Sequence, residues 1–179
     1  MCYETERVCE ADEVILAFLK IESQKPGDVE FQNLLREVRA MRGDQLKTHV
    51  RRFAERTRNG SPIFPWTVGI NGDERRRMIR RWIYADIPLE QLYTCGINPS
   101  MEPLLMKARG NLKAFLKYAP LFDELKLDWV PPESLRVAFG IARLATDKDG
   151  TIELIDGAHR TIPMLQNKIT RSKALIGEM

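Results

Sequence analysis

Along residues 1–82 the apolar positions recur with a helical period, separated by charged side chains. Val14, Ile15, Phe18 and Leu19 fall on one helical face, and the pattern stops at Lys25-Pro26-Gly27. Asp28 suits the N-cap of a second helix whose face is Phe31, Leu34, Leu35, Val38 and Met41, with Gly43 ending it. A third helix is expected over residues 44–58, with Leu46, Val50 and Phe53 inward. Residues 59–72, NGSPIFPWTVGING, read as a loop because Gly, Pro and Asn punctuate them. The basic segment DERRRMIRRW, with Asp73 as its cap, predicts a short helix.

From residue 83 the pattern changes. IYADIPLEQL predicts a short strand that ends at a Pro and a Leu-containing turn. After TCGINPS, the positions Met101, Leu104, Leu105, Ala108, Leu112, Phe115 and Leu116 predict a long amphipathic helix, with Lys107, Arg109, Lys113 and Lys117 facing away. Pro103 fits its first turn and Pro120 forbids its continuation. PLFDELKLDWVPPES reads as irregular, with one helical turn. LRVAFGIARLA then alternates, placing Leu135, Val137, Phe139 and Ile141 on one side. The Asp149-Gly150 turn leads into TIELID as a hairpin. A short helix over 161–167 and a closing strand in ITRSKALIGEM complete the order. The expected class is α/β (α+β), a small mixed sheet with flanking helices in residues 83–179, behind a helical region of residues 1–82.

Composition narrows this picture without naming a chemistry. At 179 residues, 44% hydrophobic and 30% charged, the chain has the make-up of an ordinary globular protein. No apolar run reaches the roughly 20 residues of a membrane span, and MCYETERVCE lacks a signal pattern, so a cytoplasmic protein with no membrane partner is expected. Cys2, Cys9 and Cys95 are odd in number without a C-x-x-C pair, which points to reduced thiols. His49 and His159 are too few for a histidine-rich metal centre. The net charge is only +3, but the arginines cluster: Arg51, Arg52, Arg56 and Arg58 form one group, and Arg75, Arg76, Arg77, Arg80 and Arg81 another. Each cluster is either a solvated helix face or a set of guanidinium forks for phosphates, as in DNA.

The stretch TIELIDGAHRTIPML, residues 151–165, concentrates the candidate chemistry at a strand-to-helix junction. Gly157 permits a tight turn and close approach to the backbone. The first amides of the following helix are unused by its own hydrogen bonds and carry the positive end of its dipole, which suits a phosphate. Arg160 adds a bidentate cation and His159 a donor able to move a proton. Asp156 either orients Arg160, binds a metal held by phosphates, or acts as a base. A purely structural alternative stands beside this: Asp156 caps the helix, Asp-Gly turns the chain, and His159 is a satisfied structural histidine.

On these residues the chain resembles the ParB/sulfiredoxin fold over positions 83–179. The matching parts are IYADIPLEQL, MEPLLMKARGNLKAFLKY, LRVAFGIARL, the D-G-x-H-R box within IELIDGAHRTIPML, and SKALIGEM. The resemblance implies a nucleotide site at Asp156, Gly157, Ala158, His159, Arg160 and Thr161, with ATP or another nucleoside tri- or diphosphate and Mg²⁺ as cofactors. Sulfiredoxins carry a nucleophilic Cys where this chain has Ala158, so their activity is not expected here. Chromosome-partition ParB proteins place a DNA-reading helix-turn-helix after the box. This chain stops soon after its own, at Met179, so that reader is expected to be missing. Free-serine kinases of the same fold pair the box with an acidic residue from the loop after the first strand.

The implied activity is ATP (or related nucleotide) hydrolysis or phosphoryl transfer to a small hydroxyl substrate. Asp156 and His159 would be catalytic, with Asp156 placing Mg²⁺ through the nucleotide. Glu102 is a candidate base, though equally a favourable N-terminal helix charge; Glu90 is a second acidic candidate. The alternative is a DNA-binding protein or nuclease of plasmid or phage ParB-like type, with Arg75, Arg76, Arg77, Arg80 and Arg81 on the nucleic acid. A helix-turn-helix turning at Met41-Arg42-Gly43-Asp44 would belong with it. A nucleotide sensor without turnover is the third reading, and a homodimer is compatible with all three.

Overall fold

In a computed structural model of the chain, residues 4–24, 28–57, 63–68, 79–93, 111–115, 117, 132–142 and 152–179 are described. For residues 4, 115, 135, 141, 158 and 159 this holds for the backbone only. The described residues form six α-helices and a six-stranded mixed sheet. No described helix is long and apolar enough to cross a membrane. The chain divides into two compact units, Met1–Val8 with Ile83–Met179, and Cys9–Trp82.

The sheet has the order β1-β2-β6-β4-β5-β3. Its strands are β1 (Glu4–Cys9), β2 (Arg81–Pro88), β3 (Leu92–Tyr93), β4 (Val137–Ala142), β5 (Ile152–Asp156) and β6 (Arg171–Glu178). β4 and β5 run antiparallel, as a hairpin requires, while the Asp149-Gly150 turn lies outside the described residues. β6 returns parallel to β4 and pairs with it along its whole length, from Val137↔Lys173 to Ala142↔Glu178. One face of the sheet carries Ile83, Ala85, Ile87, Ala138, Ala142, Ile152, Leu154, Ala174 and Ile176. Leu112 of helix α5 (Leu112–Phe115) and Ile162 and Met164 of helix α6 (Ala158–Gln166) join the same cluster.

The helical unit contains α1 (Ala11–Glu22), α2 (Val29–Val38), α3 (Gly43–Thr57) and α4 (Phe64–Val68). Asp28 caps α2 as expected, its carboxylate accepting from the Phe31 amide at 3.4 Å. Each helix contributes an aromatic ring to one cluster. The rings of Phe18 and Phe31 meet edge-on at 5.7 Å and those of Phe18 and Phe64 at 5.5 Å, while Phe31 and Phe53 are tilted at 6.1 Å. Val14, Ile15, Leu34, Leu46 and Val50 are buried around them.

Several local expectations are corrected. Residues 4–9, read as part of a helical region, form a strand at the sheet edge, where Thr5, Glu6 and Arg7 stay exposed. Gly43 does not terminate α2, which ends at Val38; with φ +57 it opens α3 instead. The loop over 59–72 contains α4, whose apolar Phe64 and Val68 are buried. Of the basic helix expected over 73–82, residues 73–78 lie outside the described residues, and Arg81 and Trp82 belong to β2 instead. A continuous helix through residue 111 does not form either. Asn111 bridges to Tyr93, and its Oδ1 accepts from the Ala114 amide at 2.9 Å, so it starts α5. In β4 the residues that join the main cluster are Ala138 and Ala142, while Phe139 is fully buried on the opposite side. Alternation fails there because a strand covered on both faces has no solvent side to mark.

Candidate functional site

The DGAHR box spans the end of β5 and the start of α6. The approach to it is irregular. Phe139 pairs with Asp156 and Gly140 with Leu154, which leaves Ile155 as an extra residue in β5. Such a bulge re-aims the residue that follows it. Gly157 then serves as the N-cap of α6 with φ +108 and ψ 9, a conformation strained for any residue with a Cβ. A Cβ there would also stand 3.1 Å from Arg160 Nη2 and 3.5 Å from both the Ala138 Cα and the Val137 carbonyl oxygen. The junction thus packs against the first residues of β4 at ordinary contact distance, and it is the positive φ that favours glycine here.

Beyond Gly157, the amides of Arg160 and Thr161 both donate to its carbonyl, at 3.0 and 2.9 Å. Ala158 and His159 open the helix, and their amides are the first-turn donors that no helical carbonyl can reach. Their side chains are outside the described residues. Arg160 is buried, and its Nη2 donates to Asp156 Oδ2 at 2.5 Å, an ion pair with side-chain exposures of 7% and 19%. Burying a guanidinium is costly unless a close acceptor satisfies it, and Asp156 is such an acceptor. Of the roles open to Asp156, orienting Arg160 is the one this geometry performs. Thr161 is 1% exposed and its hydroxyl donates to the Gly157 carbonyl at 3.1 Å, so that hydroxyl is turned back into the helix.

The acidic candidates fall elsewhere. Glu102 lies outside the described residues. Glu90 is exposed in the 3-10 turn Leu89–Gln91, where it accepts from Lys113 Nζ at 2.5 Å. The strand after that turn, β3, pairs with the start of β5 at Leu92↔Ile152. Asp156 is at the other end of β5, about 13 Å along at roughly 3.3 Å per residue. Among the described residues no group of three or more His, Cys, Asp or Glu side chains converges on a metal position. Of the second arginine cluster, Arg75, Arg76 and Arg77 lie outside the described residues, while Arg80 and Arg81 are exposed.

Val137 and Ala138, whose backbone closes behind Gly157, were not candidates on sequence grounds. Only strand pairing brings them there, and no motif signals it. No family model, no curated protein and no solved structure matches this chain.

Proposed function

We propose that the junction of β5 and α6 binds the phosphates of a nucleotide, and that the protein hydrolyses that nucleotide or passes its phosphoryl group to a small hydroxyl substrate. The observation that carries this reading is Gly157 at φ +108, opening a nine-residue helix beside a buried guanidinium. A backbone without a Cβ, unused first-turn amides and a fixed cation are features that suit an anion. The amides of Ala158 and His159 would hold phosphate oxygens. Arg160, oriented by Asp156, would offset the charge that develops on them. His159 would supply or remove a proton, and Mg²⁺ would be held mainly by the phosphates, with Asp156 near it. The likeness of residues 83–179 to a fold whose D-G-x-H-R box binds nucleotides supports the same reading.

Calorimetric titration with ATP, ADP and CTP in the presence of Mg²⁺ tests it, together with released phosphate. An informative variant is Ala158→Asp. A carboxylate in the first turn of a helix favours the helix dipole yet repels phosphate. The wild type is expected to bind a nucleotide, and Ala158→Asp to remain folded with at least a tenfold loss of affinity. A wild type that binds none of the three nucleotides makes DGAHR a structural turn and ends this reading.

A further inference from the structure

We infer that α2 and α3 of the helical unit bind duplex DNA, with the outward face of α3 set in the major groove. This goes beyond the nucleotide site and rests on residues remote from it in the sequence. The two helices are joined by residues 39–42, and Gly43 takes a positive φ of +57 at the joint. Phe31, Leu34 and Val38 of α2 are buried, as are Leu46, Val50 and Phe53 of α3. The start of α3 is held by Asp12, whose Oδ2 accepts from the Gly43 amide at 2.5 Å. His49 and Glu37 join the helices at 2.9 Å. The result is a short helix, a tight turn and a longer second helix that presents its polar side outward, the arrangement a groove-reading helix pair requires.

The charge of this pair matches the excess of the whole molecule. Residues 29–57, the two helices and their joint, contain seven Arg and Lys against four Asp and Glu. That surplus of three equals the +3 of the whole chain. Some of these cations are committed: Arg51 Nε donates to the Val68 carbonyl at 3.1 Å, and Arg42 Nη1 to the Arg39 carbonyl at 3.1 Å. Among the described residues, the side chains of Arg39, Lys47, Arg52 and Arg56 have no hydrogen-bond or ion-pair partner. Four uncommitted cations, Arg39 in the turn, Lys47 on one flank of α3 and Arg52 and Arg56 toward the other, suit the backbone phosphates on the two sides of a groove.

Between them lies a set of side chains able to read base edges. Gln45 and Thr48 are exposed at i and i+3, on the side of α3 away from Leu46, Val50 and Phe53. Gln pairs with adenine, and Thr contacts either bases or the thymine methyl. A helix about 10–12 Å across fits the roughly 12 Å major groove of B-DNA. It does not fit the deep, narrow major groove of an RNA duplex.

Fluorescence anisotropy of the full chain with a labelled DNA duplex of mixed sequence tests the inference. Binding is expected at about 50 mM salt and should weaken about 150-fold by about 200 mM, the dependence that four phosphate contacts give. Arg52→Ala with Arg56→Ala should lower affinity at least tenfold and reduce the log–log salt slope by about two. Thr48→Glu, which places a carboxylate toward the groove without removing a cation, should lower it by a similar factor. Lys168→Ala, an exposed cation of the other unit, should change nothing. The replaced side chains are exposed, so unchanged circular dichroism is expected for every variant. The inference is overturned by absence of binding at about 50 mM salt, by full affinity in the double variant, or by equal affinity for an RNA duplex.

Discussion

Asp156 and Arg160 stand four residues apart, one on the last residue of a strand and the other in the first turn of a helix, and meet at 2.5 Å with both side chains largely buried. The pair ties the two elements of the DGAHR junction together. A buried charge that loses its partner costs more than the pair contributes. Replacing Arg160 by Met, or Asp156 by Asn, should therefore destabilise the protein by about 3–5 kcal/mol. The double replacement should cost clearly less than the two losses added. Urea denaturation of the four proteins measures that coupling.

Gly157→Ala tests the backbone of the same junction. Alanine would have to hold φ +108 with its Cβ 3.1 Å from Arg160 Nη2. A loss of about 1–3 kcal/mol is expected from strain of this kind. Phosphate binding should weaken with it, because the helix start must shift. A thermal melt beside a nucleotide titration reads both effects.

The C-terminus of α6 offers the opposite outcome. Lys168 has φ +61, its amide donates to the Leu165 carbonyl at 3.1 Å, and the Ile169 amide donates to the Met164 carbonyl at 2.9 Å. This is the helix-ending motif in which glycine normally takes the left-handed position. Lys168→Gly should raise stability by about 0.5–1 kcal/mol, since a side chain in that region is disfavoured. An increase in denaturation midpoint is the expected result.

Lys173 on β6 hydrogen-bonds Glu6 of β1 and lies 3.4 Å from Asp86 of β2. The hydrogen bond to Glu6 is the main cause that raises the Lys173 pKa above its ordinary value. The folded state thus holds this proton more tightly than the unfolded one. Its contribution is complete below the unfolded pKa of 10.5 and fades as pH rises through the higher folded value. Wild type should therefore lose more stability than Lys173→Met between about pH 9 and about pH 12. The difference should be small, because the pair is solvent-screened. Denaturation midpoints at the two pH values, measured in both proteins, decide it.

The sequence by itself determined the elements whose signal is local. The faces of α1, α2 and α3, the Asp28 cap, and the strand-to-helix turn at Gly157 all follow from spacing, capping and the conformational freedom of glycine. Only the tertiary structure decided the rest. The polar stretch Glu4–Cys9 becomes a strand because the sheet offers it an edge to pair with, which no propensity within it announces. Phe139 and Ala138 point to opposite faces of β4 and are both buried, so its two faces are indistinguishable from sequence. The backbone of Val137 and Ala138 reaches Gly157, and Glu90 is carried to the far end of β5, through register alone. Register is a property of pairs of strands, and it is written in neither one separately.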